Sequence, residues 1–289
     1  MKLFRGSQRA SASQAVVTRT SPQAGPDDGP VIVLVDNPRT DADTLDWAAA
    51  EAAARGSELR IVHAFRWPHL LDPFGNLTVD LRARGTAEAV VVAAGRRARR
   101  IASSLRITTW VYPGPAAAAL VSEARKASRA LVVVGHDRRS GRLERSLTRR
   151  VARRTTASVA VIGLSDRAAV GPSLGRVVVG VNDGSPQQAL GFAFRAARRR
   201  GTGVTIVDAR TSGRDLEDVV RIWQMAYPEI DVRWRFAHGP ADGAVLAESA
   251  AAALTVLGPD RHARLRASAS ENVLRLARGP VVMVGSGTV

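Results

Sequence analysis

The feature that most constrains this chain is that one succession of apolar runs and helix-length segments is written twice. The first pass opens at Val31 to Val35, an unbroken apolar run of the kind that a strand covered on both faces requires. Thr40-Asp41 then begins a helix that carries Leu45, Trp47 and the following alanines and stops at Gly56. Strands follow at Leu59 to Phe65, Ile107 to Tyr112, Leu131 to Val134 and Val159 to Ile162. Between them the spacing predicts helices over Leu81 to Ala102, over Ala116 to Ala127 and in the arginine-rich stretch before Val159, with Pro68 to Asn76 as a loop. The second pass has strands at Val177 to Val181, Val204 to Ala209, Asp231 to Phe236, Leu254 to Leu257 and Val281 to Val284. Its helices are predicted over Gln187 to Arg199, over Arg214 to Ala226, after Gly239-Pro240-Ala241 and over Arg266 to Ala277. Gly239-Pro240-Ala241 repeats Gly114-Pro115-Ala116, and IVDA at 206–209 repeats IVHA at 61–64. Two halves offset by roughly 120 to 150 residues are an internal duplication.

Alternating strands and helices with buried strands imply a parallel sheet, helices on both of its faces and right-handed crossovers. The expected fold is therefore α/β, with two tandem doubly wound five-stranded sheets. The expected organisation is a basic tail over 1–30, a first domain over 31–164, a linker over 165–175 and a second domain over 176–289. Ligands of such sheets bind beyond the carboxyl ends of the strands, where the strand order reverses. If the first and fourth strands flank that reversal, Asp36, Gly135 and the loop that follows form the crevice of the first half.

The stretch from Leu131 to Gly163 carries the most chemistry. An apolar run stops on Gly135, and the hydroxyls of Ser146 and Thr148 follow where a helix should begin. This arrangement suits a phosphate held by backbone N–H groups and a helix dipole, and it equally suits an ordinary strand-to-helix turn. The stretch has a twin at Leu254 to Gly285. His63 and His136 have Asp36, Asp137 and Asp208 elsewhere in the sequence, but no spaced nucleophile accompanies them, so no catalytic residue is assigned. The histidines lack metal-ligand spacing, so no metal is expected. A Walker A lysine motif and a G-x-S-x-G elbow are absent.

Composition narrows the partners. The chain has no cysteine, which excludes disulfides and thiolate chemistry and fits a cytoplasmic location. The formal net charge is +16, and Lys2 and Lys126 are the sole lysines among 42 basic residues. An arginine surface of this kind attracts nucleic acid or another polyanion. The Ala-rich, Arg-over-Lys bias of a GC-rich genome is the competing explanation. No apolar stretch approaches the ~18 residues of a membrane span. The amino terminus lacks a hydrophobic signal core and reads as a disordered tail.

Taken together and in order, VIVLVD, TLDWAAAEAAARGSELRIVHA, LVVVGHDR and RRTTASVAVIG in the first half resemble the universal stress protein family. So do VVVGVNDGSP, RAARRRGTGVTIVDA, LTVLGPDR and LARGPVVMVG in the second. The chain resembles a tandem member of actinobacterial type. The resemblance implies strand order 3-2-1-4-5 and pairing of the halves through their fifth strands. A monomer with an internal pseudo-dimer fits this, and further dimerisation stays open. It also implies a non-enzymatic stress-response role in the cytoplasm and binding of ATP or another adenine nucleotide. The implied binding residues are Asp36, Gly135, Ser146 and Thr148 in the first half, and Asp183, Gly258, Ser268 and Ser270 in the second. The family's glycine loop is degenerate here. Arg138 and Arg145 replace glycines in the first half, Arg261 and Ala267 in the second, and Asn182 competes with Asp183 for the aspartate's place. An altered phosphate cradle and a polyanion-binding module without a nucleotide pocket both remain open.

Overall fold

The computed structural model describes residues 28–65, 69–71, 77–79, 81–136, 143–163, 175–181, 186–208, 214–236, 241–258, 269–277 and 279–286. The tail is thus outside the description up to residue 27, and the linker through 164–174.

The first half runs β1 (Val31–Leu34), α1 (Ala42–Arg55), β2 (Leu59–Phe65), β3 (His69–Leu71), β4 (Leu77–Val79), α2 (Leu81–Ile101), β5 (Ile107–Pro113), α3 (Ala116–Arg125), β6 (Leu131–His136), α4 (Leu143–Arg154) and β7 (Ser158–Gly163). The second runs β8 (Val177–Val181), α5 (Pro186–Arg200), β9 (Val204–Asp208), α6 (Arg214–Ala226), β10 (Val232–Phe236), α7 (Ala241–Ser249), β11 (Leu254–Leu257), α8 (Ala269–Leu276) and β12 (Val281–Met283). One expectation is corrected: β3 and β4 pair antiparallel where Pro68 to Asn76 reads as a loop. Three-residue strands are too short for an alternation of apolar and polar residues to register in the sequence. Their turn residues still lie between them.

Ten strands form one sheet in the order β10-β9-β8-β11-β12-β7-β6-β1-β2-β5. Each half therefore has its strands in the order 3-2-1-4-5, all parallel, as the family resemblance implies. The halves join through antiparallel pairing of the fifth strands, with Val282 opposite Ala160. This join covers two edges that would otherwise expose unpaired backbone groups. Gly285 closes the seam. Its N–H donates to Ser158 Oγ at 3.2 Å, and a β-carbon there would stand 2.1 Å from the Thr156 carbonyl oxygen.

The strands are apolar on both faces because both are covered. On one face α1, α2, α5 and α6 share a single core that runs through both halves, from Ile107 and Leu59 to Phe194 and Ile206. On the other, α3 and α4 pack on Ile32, Val132 and Val159, while α7 and α8 pack on Val178, Val207 and Val281. Alanine-rich helices allow close approach to the sheet. Among them α1 ends on Gly56, whose φ of 62° is a left-handed cap natural to glycine.

Two polar clusters sit within this apolar frame. Arg176, just before β8, donates to Asp231 Oδ2 at 2.7 Å, to Thr205 Oγ1 at 3.1 Å, and to the carbonyls of Val204 and Asp231 at 2.8 Å each. Its guanidinium lies across Gly203, where a β-carbon would meet it at 2.3 Å. Between the halves, Glu51 of α1 is 3% exposed and accepts from Arg55 Nε at 2.7 Å and from Arg200 Nη2 of α5 at 2.6 Å. Arg199 donates to Asp28 at 2.7 Å, and the Arg55 guanidinium lies 5.2 Å from the centre of the Phe192 ring. Burial pushes the Glu51 carboxyl upward, but Arg55, Arg200 and Arg199 outweigh it and hold the group at about 2.

Candidate functional site

In the first half the carboxyl ends of β1, β2 and β6 meet the start of α1. The chain leaves β1 at Val35 and turns sharply. The N–H groups of Asp36 and Asn37 donate to Asp41 Oδ2 at 2.7 and 3.0 Å, and the Arg39 N–H donates to Asn37 Oδ1 at 2.9 Å. Asp41 thus spends its carboxylate on the turn instead of capping α1, and so fixes where Asp36 stands. His63, on β2, lies with Nδ1 2.8 Å from the Val35 carbonyl oxygen. A carbonyl only accepts, so Nδ1 carries a proton and donates it to Val35.

Asp36 is exposed as a residue, yet the surrounding chain desolvates its carboxyl. That desolvation raises its pKa, the Asp41 carboxylate raises it further, and His63 acts in the opposite direction. A carboxylate held in partial desolvation at a strand end is an acceptor with unspent hydrogen-bonding capacity.

Gly135, near the end of β6, is required by packing. A β-carbon there would stand 2.8 Å from Thr44 Oγ1, and its φ is not among the positive values found elsewhere in the chain. The buried Thr44 of α1 therefore occupies the space that a side chain at 135 would need. In the second half Gly258 follows β11, and among the described residues a β-carbon there would meet only Ala189 Cβ, at 3.6 Å. The twin mouths thus differ. Thr44 gives the first a hydroxyl where the second has a methyl, and Asp208, buried at the end of β9, stands where the first has His63.

The remaining expected residues are placed unevenly. Ser146 and Thr148 lie within α4, not ahead of it. Only about the first four N–H groups of a helix are unpaired, so Thr148, sixth in α4 and buried, has its N–H inside the helical ladder. Ser270 lies in the first turn of α8. Asp183, Ser268 and the loop residues 137–142 and 259–268 lie outside the described residues. Among the described residues no group of three or more His, Asp or Glu could hold a metal ion, and no helix is long and apolar enough to cross a membrane. The sequence reading used Asp41 only as a helix start and missed Thr44. The signal for Thr44 is a lone hydroxyl at the head of an alanine-rich helix.

The twofold 3-2-1-4-5 sheet, with a strand-order reversal in each half, defines a paired doubly wound α/β protein. The model of the universal stress protein family matches residues 29–163. Universal stress protein Rv2005c of Mycobacterium tuberculosis is 30% identical over 294 aligned positions, covering 88% of this chain and 96% of that protein. The same values hold for Mb2028c of Mycobacterium bovis. Among solved structures, a universal stress protein from Archaeoglobus fulgidus superposes with a TM-score of 0.65 at 17% identity, over 89% of this chain and 96% of its own. The chain belongs to the universal stress protein family, and its two halves are tandem copies of that fold.

Proposed function

We propose that the first-half mouth holds ATP or another adenine nucleotide, and that the protein acts in the cytoplasm as a non-enzymatic regulator whose occupancy reports a stress state. The observation that carries this reading is Asp36, a partly desolvated carboxylate fixed at the switch point by the Asp41 turn. A ribose hydroxyl or an adenine amino group is a donor that such a carboxylate accepts from, and a bound donor would relieve its desolvation.

Fit with the phosphates is weaker than fit with the nucleoside. Gly135 faces Thr44, and the hydroxyl of Thr148 is buried in α4. Phosphate binding therefore falls to the start of α4 and the arginines that precede it in sequence, Arg138, Arg139 and Arg142.

The test is a mass spectrum of small molecules released when the purified protein is denatured. An adenine nucleotide in stoichiometric amount is the expected result. A released ligand of another class would overturn the reading.

A further inference from the structure

Arginine is spread through the whole sequence, but its pairing is not. In the second half the exposed arginines of the described residues each face a carboxylate: Arg198 with Glu229 at 3.7 Å, Arg221 with Asp218 at 3.5 Å, Arg233 with Asp231 at 3.4 Å and Arg235 with Glu248 at 3.0 Å. In the first half Arg96, Arg99, Arg100, Arg153 and Arg154 are exposed and have no ion pair among the described residues. Arg125, also exposed, donates only to the Arg154 carbonyl, at 3.3 Å.

Topology gathers these residues. In a parallel sheet with crossover helices, every helix runs back and ends at the amino side of the strands. The last turns of α2, α3 and α4 therefore emerge along one rim of the first half, and the contact from Arg125 to Arg154 holds the ends of α3 and α4 together. The acids of that rim are already engaged. Glu58 accepts from Arg60 at 3.0 Å and from Thr108, while Glu123 takes Lys126 at 2.5 Å and has Arg60 at 4.0 Å.

Compositional bias acts on both copies of a duplication alike, so it does not explain why, among the described residues, these five exposed arginines of the first half go without a carboxylate while Arg84 of the same half pairs with Glu88 at 2.9 Å and Arg198, Arg221, Arg233 and Arg235 of the second half are paired. Helix dipoles favour cations at carboxyl ends, but that effect is worth only about 0.3–1 kcal/mol per residue and applies to both halves. From this asymmetry we infer that the amino-side rim of the first half is a binding surface for the phosphate backbone of nucleic acid, separate from the nucleotide mouth at the opposite end of the same strands.

Five strands at about 4.8 Å spacing make a rim on the order of 20 Å wide. One strand of a duplex presents about six phosphates over that distance. Guanidinium forks suit phosphate oxygens, and arginine is the cation at every one of these positions. Base stacking is not offered. Trp110, on the edge strand β5, is covered by Lys126, whose Nζ stands 4.7 Å from the ring centre. The surface thus reads the backbone without regard to sequence.

The test uses the full chain and fluorescence anisotropy with a labelled duplex DNA of about 20 base pairs, a length that covers the rim several times over. The quadruple substitution Arg96→Gln, Arg99→Gln, Arg153→Gln and Arg154→Gln is compared with a control that removes the same charge from the second half, Arg198→Gln, Arg221→Gln, Arg233→Gln and Arg235→Gln. All eight side chains are exposed, and circular dichroism checks that both proteins keep the fold. The wild type is expected to bind with log affinity falling against log salt at a slope of about −4 to −5, as release of counterions from some five phosphates requires. The rim variant is expected to lose at least ~30-fold in affinity and the control less than ~3-fold, since neutralising four phosphate contacts is worth far more than a diffuse change in net charge. Equal losses in the two variants would overturn the inference, as would absence of wild-type binding at low salt or binding indifferent to salt. Preference for anionic phospholipid vesicles over DNA, abolished by the same rim variant, would overturn it in favour of a membrane surface.

Discussion

Glu51 Oε2 of α1 accepts a hydrogen bond from Arg200 Nη2 of α5 at 2.6 Å, so a buried carboxylate of the first half is held by a guanidinium of the second. The same carboxylate takes Arg55 from its own helix. Removing one partner of such a cluster leaves the others buried and uncompensated, which typically costs 3–5 kcal/mol. Glu51→Gln is therefore expected to destabilise the protein by about 3 kcal/mol in urea unfolding. A loss below about 0.5 kcal/mol would show that the cluster is energetically a surface contact.

The pH dependence follows from the same group. Its folded pKa is depressed to about 2 from an ordinary value of 4.5, so it adds stability that is fully present above the ordinary value. That contribution is lost as pH falls from there toward 2. Wild-type stability is expected to drop over this acid window more steeply than that of Glu51→Gln, as measured by thermal unfolding at a series of pH values.

Asp36 gives the opposite sign. Its pKa is raised in the folded state, so its ionisation opposes folding, and stability falls as pH rises through its titration. Asp36→Asn is expected to raise the melting temperature at neutral pH. Residues that a binding site holds at a cost behave this way, and a lowered melting temperature would mean that Asp36 is a structural residue of the turn.

The two glycines that look equivalent in sequence are expected to respond differently. Gly135→Ala drives a β-carbon to within 2.8 Å of Thr44 Oγ1 and should cost about 1–3 kcal/mol, as overpacking does. Gly258→Ala meets, among the described residues, only a methyl at 3.6 Å and should be neutral, or stabilising by up to about 1 kcal/mol through the unfolded chain. Thr44→Ala in combination with Gly135→Ala should recover most of the loss.

Arg176 offers a test of geometry against charge. Lysine keeps the charge but cannot form the four hydrogen bonds that tie β8, β9 and the start of β10. Arg176→Lys is expected to destabilise by about 2–3 kcal/mol, since the buried Val204 carbonyl and Thr205 hydroxyl lose their donor along with the partners on Asp231.

The sheet was legible because both faces of every strand are covered, so runs such as Val177 to Val181 are apolar without interruption and mark themselves. Strand order and the fifth-strand seam came from family resemblance; no feature of Val281 to Val284 alone dictates that it pairs with Ser158–Gly163. The site was less legible. Asp36 stands where a strand ends on an acid, which is a local signal. Thr44 and Asp41 act through a turn that brings α1 back against β1 and β6, and that proximity is not written in local sequence. The Glu51 cluster was invisible for the same reason: its partners lie 149 residues apart. Nor does a count of charges reveal that, among the described residues, Arg198, Arg221, Arg233 and Arg235 face carboxylates while Arg96, Arg99, Arg100, Arg153 and Arg154 have no ion pair.

The central claim is that the first-half mouth, through Asp36, holds an adenine nucleotide. Calorimetric titration of ATP into the wild type and into Asp36→Ala tests it most directly. The account predicts saturable binding heat for the wild type and an affinity at least ~10-fold weaker for the variant, the loss of one charge-assisted hydrogen bond. No binding heat near millimolar ATP, or equal affinity in the two proteins, would contradict it.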